Sequence, residues 1–326
     1  MAETFYNQIA ENKRKSFLLT LFVVALFMAL GFSIGYAISG SLSGAIFVTV
    51  IALAVGGALA IGSYFAGDAL VLRVSGAKEV DAATAPQLMN VVQELAIAAN
   101  IPVPKVYTID DTAPNAFATG RDPKHASVAI TTGLLEKLDR EELQGVLGHE
   151  LSHVRNFDIR FAMIVGVLVG SIALLADFFV RFSFWGGMGR GRSRDSDRSG
   201  GGLQVIMFVV ALVLAIVAPI IARFVQLAVN RQREYLADAS SVELTRNPYG
   251  LERALAKISA DPEVLEVANR ATQHMYFTNP IKKFEERSKG LFSTHPATLD
   301  RINRIRELTG EQPLDAAESA QLAELD

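Results

Sequence analysis

The sequence predicts a mainly α-helical membrane protein, in which four hydrophobic helices accompany an α+β domain with a small sheet and an H-E-x-x-H helix. Three observations predict it. Apolar stretches at 16–38, 43–66, 161–180 and 203–222 approach or exceed the roughly 20 residues that cross a bilayer. Short β-prone segments at 105–109, 116–119 and 127–131 lie between the second and third stretches. His149 and His153 then follow on a helical pattern, four residues apart.

Composition agrees with a membrane protein. Half of the 326 residues are hydrophobic, and mean hydropathy is +0.28. The net charge of −3 gives no reason to expect a nucleic-acid partner. There is no cysteine, so disulfides and thiolate metal ligands are excluded. Any zinc must be held by His and carboxylate, which favours a catalytic over a structural site.

The first apolar stretch is too long for the core of a cleaved signal peptide, and the second follows at once, so it reads as an uncleaved anchor. The third is shorter and carries Asp177; a buried core helix is its alternative. The fourth continues past Arg223 to Val229. Lys13, Arg14 and Lys15 precede the first span, while the turn at 40–42 is uncharged, which places the N-terminus in the cytoplasm. Residues 67–160 and the C-terminal region then also face the cytoplasm. Arg181, Arg190, Arg192, Arg194 and Arg198, between the third and fourth spans, disagree with that topology. Either the first spans dominate orientation, or 161–180 and 203–229 form a hairpin that does not fully cross. The Gly/Ser/Arg/Asp composition of this loop is that of a solvated linker.

In the soluble part, 82–100 reads as an amphipathic helix. The polar segment 120–125 between 116–119 and 127–131 suggests a hairpin, whose edge strand could hold an extended substrate by adding it to the sheet. Residues 249–260 and 296–309 read as helices, and the tail from Glu311 as mobile or as a loosely docked helix.

His149-Glu150-Leu151-Ser152-His153 is a complete H-E-x-x-H, the two-histidine zinc motif of metalloproteases, and it makes the α+β part zincin-like. Asp139 and the acidic residues after it suit a helix start, and Leu143, Val146, Leu147 and Leu151 supply its apolar stripe. On that helix both imidazoles reach one metal, and Glu150 points about 100° away, free to act as a general base. One Zn2+ per chain is expected. A third His six residues after the second is absent, since position 159 is Ile. Glu234 is the best third ligand: His153 lies just before the third span and Glu234 just after the fourth, so a hairpin returns both to one membrane face. Asp238, one turn after Glu234, is placed to accept a hydrogen bond from a ligating His. His295 is the rival ligand, better suited to donate a hydrogen bond to substrate.

Four segments follow: 1–66, a pair of transmembrane helices; 67–160, a cytoplasmic half carrying the H-E-x-x-H helix; 161–229, a second hydrophobic pair with an Arg/Gly/Ser loop at 181–202; and 230–326, a helical half with the third ligand.

With these residues placed, the chain resembles the HtpX heat-shock protease family of bacterial membranes, which is related to the CaaX prenyl endopeptidases. The resemblance spans almost the whole chain. It rests on the paired N-terminal spans, Asn-Ala-Phe-Ala-Thr-Gly at 115–120, the H-E-x-x-H, Arg-Glu-Tyr-Leu-Ala-Asp at 233–238 and Ser-Thr-His-Pro at 293–296. The long Arg/Gly/Ser loop at 186–202 departs from it. The resemblance implies zinc on His149, His153 and Glu234, with Glu150 as general base. It implies a multi-pass protein of the bacterial plasma membrane whose cytoplasmic site degrades damaged or misassembled proteins. It also implies that Asn115, Ala116 and Phe117 line the substrate cleft, and that His295 and Arg301 stabilise the oxyanion. Two alternatives stand beside this reading: a CaaX-type prenyl-protein endopeptidase, and a non-catalytic membrane scaffold stabilised by zinc. Glu150 argues against the scaffold, because a structural zinc site has no use for a base there.

Overall fold

Helices α1 (Phe5–Ser39) and α2 (Leu42–Val74) precede β1 (Lys78–Val80), α3 (Pro86–Ala99), β2 (Lys105–Ile109) and β3 (Ala116–Gly120). A 3-10 turn at Pro123–His125 leads to β4 (Ala126–Thr131), α4 (Thr132–Lys137), α5 (Arg140–Arg155), α6 (Asp158–Trp185) and α7 (Gly201–Thr245). Helices α8 (Pro248–Ala260), α9 (Thr298–Thr309) and α10 (Ala316–Leu322) complete the order. The computed structural model describes residues 5–185, 201–263, 277 and 296–322. His295 and residues 186–200 of the Arg/Gly/Ser loop lie outside the described residues.

The chain divides into two units. One comprises Lys13–Ser63 and Ala162–Val229. Its buried positions step by four and three: Val23, Phe27, Leu30, Ile34 and Ala37 on α1, and Val165, Val169, Ile172, Ala176 and Phe179 on α6. Ala211, Ala215, Ala218 and Ala222 do the same on α7. Such spacing puts each set on one stripe that faces other helices. Between the stripes, Leu21, Phe47, Ile61, Leu174, Phe178 and Ile216 are large, apolar and exposed. Helices apolar on every side suit a lipid surround, and all four are long and apolar enough to cross a membrane. Asp177 does not break α6: it is exposed and pairs with Arg181 one turn on, at 2.7 Å.

The second unit comprises Tyr64–Phe161 and Asn230–Asp326, with Met1–Asn12. Its sheet has the order β1-β2-β4-β3. β2 runs parallel to β4, and the two outer strands are antiparallel to their neighbours. The expected hairpin is β3–β4, with Ala116 opposite Ile130. Gly120, at φ +125, turns the chain where an added Cβ would fall 2.3 Å from the His125 carbonyl oxygen. β1 was not expected. Lys78-Glu79-Val80 is short and two-thirds charged, and its strand character comes from pairing with β2.

Alternation along the strands separates two apolar layers. Val106, Ala118, Val128 and Ile130 face α3, α5, α8 and α9 in the main core, while Ile109, Phe117 and Ala129 pack on the other side. The C-terminal tail is docked rather than free: Asn303 bonds both the carbonyl and the amide of Leu314, and Leu314 and Leu322 touch the core.

Candidate metal centre

Helix α5 starts with a reciprocal cap. Asp139 accepts from the Glu142 amide at 2.8 Å, and Glu142 Oε2 accepts from the Asp139 amide at 3.0 Å. Glu142 is fully buried and is neutralised by Lys257 Nζ at 3.0 Å. Two glycines let α5 approach its neighbours closely. A Cβ on Gly145 would sit 2.7 Å from the Leu251 amide nitrogen, and one on Gly148 would sit 2.7 Å from Ser241 Oγ. Ser241 Oγ also donates to the Gly145 carbonyl at 2.7 Å, which fixes the end of α7 against α5.

One and two turns before Ser241, α7 presents Asp238 and Glu234 to the histidine face of α5. His149 Nε2 and His153 Nε2 stand 3.1 Å apart. Glu234 brings Oε2 to 3.6 Å from the first and Oε1 to 3.5 Å from the second. Each outer ring nitrogen faces a carboxylate: His149 Nδ1 meets Asp238 Oδ1 at 2.8 Å, and His153 Nδ1 meets Asp158 Oδ2 at 3.1 Å. With Nδ1 donating, each Nε2 lone pair points toward the shared space. Ligands about 2.0–2.2 Å from one tetrahedral zinc stand roughly 3.3–3.5 Å apart, so this donor set fits such an ion. The three residues form a group able to hold a metal, with donor atoms all within 4.8 Å of one another.

Without a metal, these groups hold protons tightly. Burial works against the His153 cation, but Asp158 and Glu234 outweigh it and push the imidazole up to about 10. His149 is likewise opposed by burial and raised by Asp238. Burial lifts the Glu150 carboxyl above the usual range, against the pull of the two histidines. Glu150 is 2% exposed, and its Oε2 accepts from the Ala118 amide at 2.8 Å. A carboxyl that holds a proton more readily than usual, beside a metal-capable group, suits general acid–base work.

Arg301 reaches the same cluster through Asp238. Its Nε and Nη2 clasp Asp238 at 2.9 and 2.6 Å, and Nη1 donates to the Phe277 carbonyl at 3.0 Å. The guanidinium lies over the Phe277 ring, which meets His149 edge to face. Asn115 is buried and bonded to Thr131 through its own backbone, while its Oδ1 accepts from the Ala116 amide at 3.0 Å. Ala116 faces the main core and Phe117 the opposite one. β3 is the sheet's edge, as the sequence suggested, but its carbonyl at Ala116 already accepts from the Phe277 amide at 2.8 Å. An extended peptide would pair at that point only by displacing Phe277.

Sequence reasoning missed Asp158, Arg233, Phe277 and the Ala118 amide. Asp158, five residues after the second His, carried the one readable signal: an acidic residue at a helix start close to the motif.

Residues 82–309 match the family model described as peptidase family M48. A "Protease HtpX homolog" of Streptococcus uberis is 44% identical over 303 residues, covering 93% of this chain and 99% of the relative. Relatives bearing the same description in Streptococcus pneumoniae and Listeria monocytogenes are 46% and 44% identical, with the same coverage. Among solved structures, Ste24p of S. mikatae aligns with a TM-score of 0.47 and 16% identity, covering 92% of this chain and 67% of the other.

Proposed function

The chain belongs to peptidase family M48 and is a membrane-bound metalloprotease, and from that premise we propose that His149, His153 and Glu234 hold its metal as zinc, with Glu150 as general base. Convergence of three ligand residues whose nearest atoms stand 3.1–3.6 Å apart, with the Glu150 carboxyl one residue from the first of them, carries this assignment. A bound zinc supplies a water whose pKa falls to about 7 and a Lewis acid for a carbonyl oxygen.

The chain's own groups do the rest. Ala118 holds Glu150 Oε2, leaving Oε1 to take the proton of the attacking water. As the water oxygen bonds to the scissile carbonyl carbon and the C–N bond breaks, Glu150 returns that proton to the leaving amine. Asp238 and Asp158 keep the Nδ1 protons of His149 and His153 in place, so both rings present Nε2. The substrate lies along β3, exchanging places with the Phe277 amide at Ala116 while the Ala118 amide stays on Glu150. Extended, unfolded segments of damaged or misassembled membrane proteins fit that demand, because a folded chain has few free strand edges. The positive residues before the first span support a site on the cytoplasmic side. His295 and Arg301 remain proposed oxyanion donors; Arg301 Nη1 stands 3.7 Å from Glu234 Oε2, beside the proposed metal.

Cleavage of an unfolded protein by the purified, zinc-loaded chain, beside zinc-loaded Glu150→Gln, tests the proposal. Cleavage by the parent alone is expected. Cleavage by both variants would remove Glu150 from the mechanism. Silence of both, followed by cleavage of a prenylated peptide by the parent, would move the substrate to the prenyl-protein class.

A further inference from the structure

We propose that Asp158 and Arg233 are a positioning pair that holds His153 and ties it to the stretch of α7 that carries Glu234. The inference rests on the reading of His153 and Glu234 as metal ligands.

Helix α5 ends at Arg155, and Phe157 takes a left-handed conformation, φ +59. The helix stops there, and Asp158 opens α6. Its Oδ2 lies 3.1 Å from His153 Nδ1. Its other oxygen, Oδ1, accepts from Arg233 Nη1. The Arg233 guanidinium in turn lies over the Phe161 ring, its Cζ 3.8 Å from the centroid. Asp158 and Arg233 are both largely buried, at 7% and 11% side-chain exposure. Arg233 immediately precedes Glu234, so adjacent residues of α7 bind the ligand's support and the metal site itself.

The other histidine has a support of the same composition. His149 Nδ1 meets Asp238, Asp238 is clasped by Arg301, and Arg301 lies over Phe277. A His–Asp–Arg–aromatic sequence of contacts thus occurs twice, assembled from unrelated segments. A fold brace has no need to end on an imidazole, still less to do so twice. A carboxylate on a ligand's outer nitrogen fixes its tautomer and ring orientation and raises its basicity. Arg233 supplies a cation beside the buried Asp158 carboxylate. Cation–π attraction to the Phe161 ring helps to hold the guanidinium in place.

The test is zinc affinity of the full chain in detergent, by competition with a chelator, for the parent, Asp158→Ala, Asp158→Asn, Arg233→Ala and the double variant Asp158→Ala/Arg233→Ala. Asp158→Ala is expected to weaken zinc by about 10- to 100-fold, the usual cost of removing an outer partner. Asp158→Asn keeps the shape and one acceptor, and should fall between it and the parent. Because Arg233 acts through Asp158, the double variant should bind zinc about as poorly as Asp158→Ala alone. Asp177→Ala, which removes an exposed ion pair of the same helix, should leave zinc affinity unchanged. Zinc affinity within about twofold of the parent in Asp158→Asn and in whichever alanine variants fold, with only the melting temperature of the metal-free protein lowered, would make the pair a simple brace and overturn the proposal. A parent that binds no zinc would instead overturn the metal reading on which the proposal stands.

Discussion

The backbone amide of Ala118, on the edge strand of the sheet, donates to Glu150 Oε2 at 2.8 Å. The residue meant to move a proton is thereby held by the strand proposed to hold the substrate. A hydrogen bond to a charged acceptor contributes about 1.5–3 kcal/mol. Proline at 118 removes the amide, and edge strands accept proline where its missing N–H faces away from the sheet. Ala118→Pro is expected to lower kcat by about 10- to 100-fold while zinc stays bound. An unchanged kcat in a zinc-loaded variant would mean that Glu150 needs no such anchor.

Glu234 stands 3.6 and 3.5 Å from the two histidine Nε2 atoms and lies on a different helix from them. Removing it leaves two ligands where catalytic zinc sites use three. Glu234→Ala should lose stoichiometric zinc after dialysis, measured by elemental analysis, whereas Glu150→Gln should keep it. Full occupancy in the Glu234 variant would transfer the third ligand elsewhere.

Arg301 is 2% exposed and clasps Asp238 with two nitrogens. Truncating one partner of such a pair leaves a buried charge unmatched, at a cost of about 3–5 kcal/mol. Arg301→Ala is therefore expected to lower both melting temperature and zinc affinity. A variant with parental stability and zinc affinity but low kcat would instead support a direct oxyanion role.

Protonation of the metal-free site sets a pH dependence. His153 titrates at about 10 in the folded chain, above its ordinary 6.5, because the neighbouring carboxylates outweigh burial. A group raised on folding adds stability that is complete below the unfolded value and is lost as pH rises through the folded one. The stripped protein should melt at progressively lower temperature from about pH 6.5 to about pH 10. Zinc must displace these protons, so its added stabilisation should grow over the same range. A melting temperature of the stripped protein that stays flat, followed by differential scanning fluorimetry, would contradict the assignment.

Much of the site was legible because helical spacing is local. His149 and His153 share a face by the 3.6-residue turn, and Asp238 follows Glu234 by the same rule. The membrane helices were legible because length and hydropathy are sums over the sequence. Asp158 was not. Continuing the helix would carry it about 140° round from His153, but the helix breaks at the left-handed Phe157. Non-glycine residues take that conformation when surrounding contacts demand it, which no local pattern announces. β1 was missed for a related reason, since three residues with two charges become a strand only when β2 is there to pair with them.

The amino-acid sequence by itself determined the four apolar helices, the histidine pair that shares one face of α5 and the spacing that puts Glu234 and Asp238 on one face of α7. Tertiary structure alone decided which cation meets which carboxylate: Arg301 with Asp238, Arg233 with Asp158. It also decided that Ala118 anchors Glu150 and that Phe277 closes the strand edge at Ala116. The reason is range. Periodicity specifies which residues of one helix look the same way, but a buried charge takes as its partner whatever the packing of distant segments brings within reach.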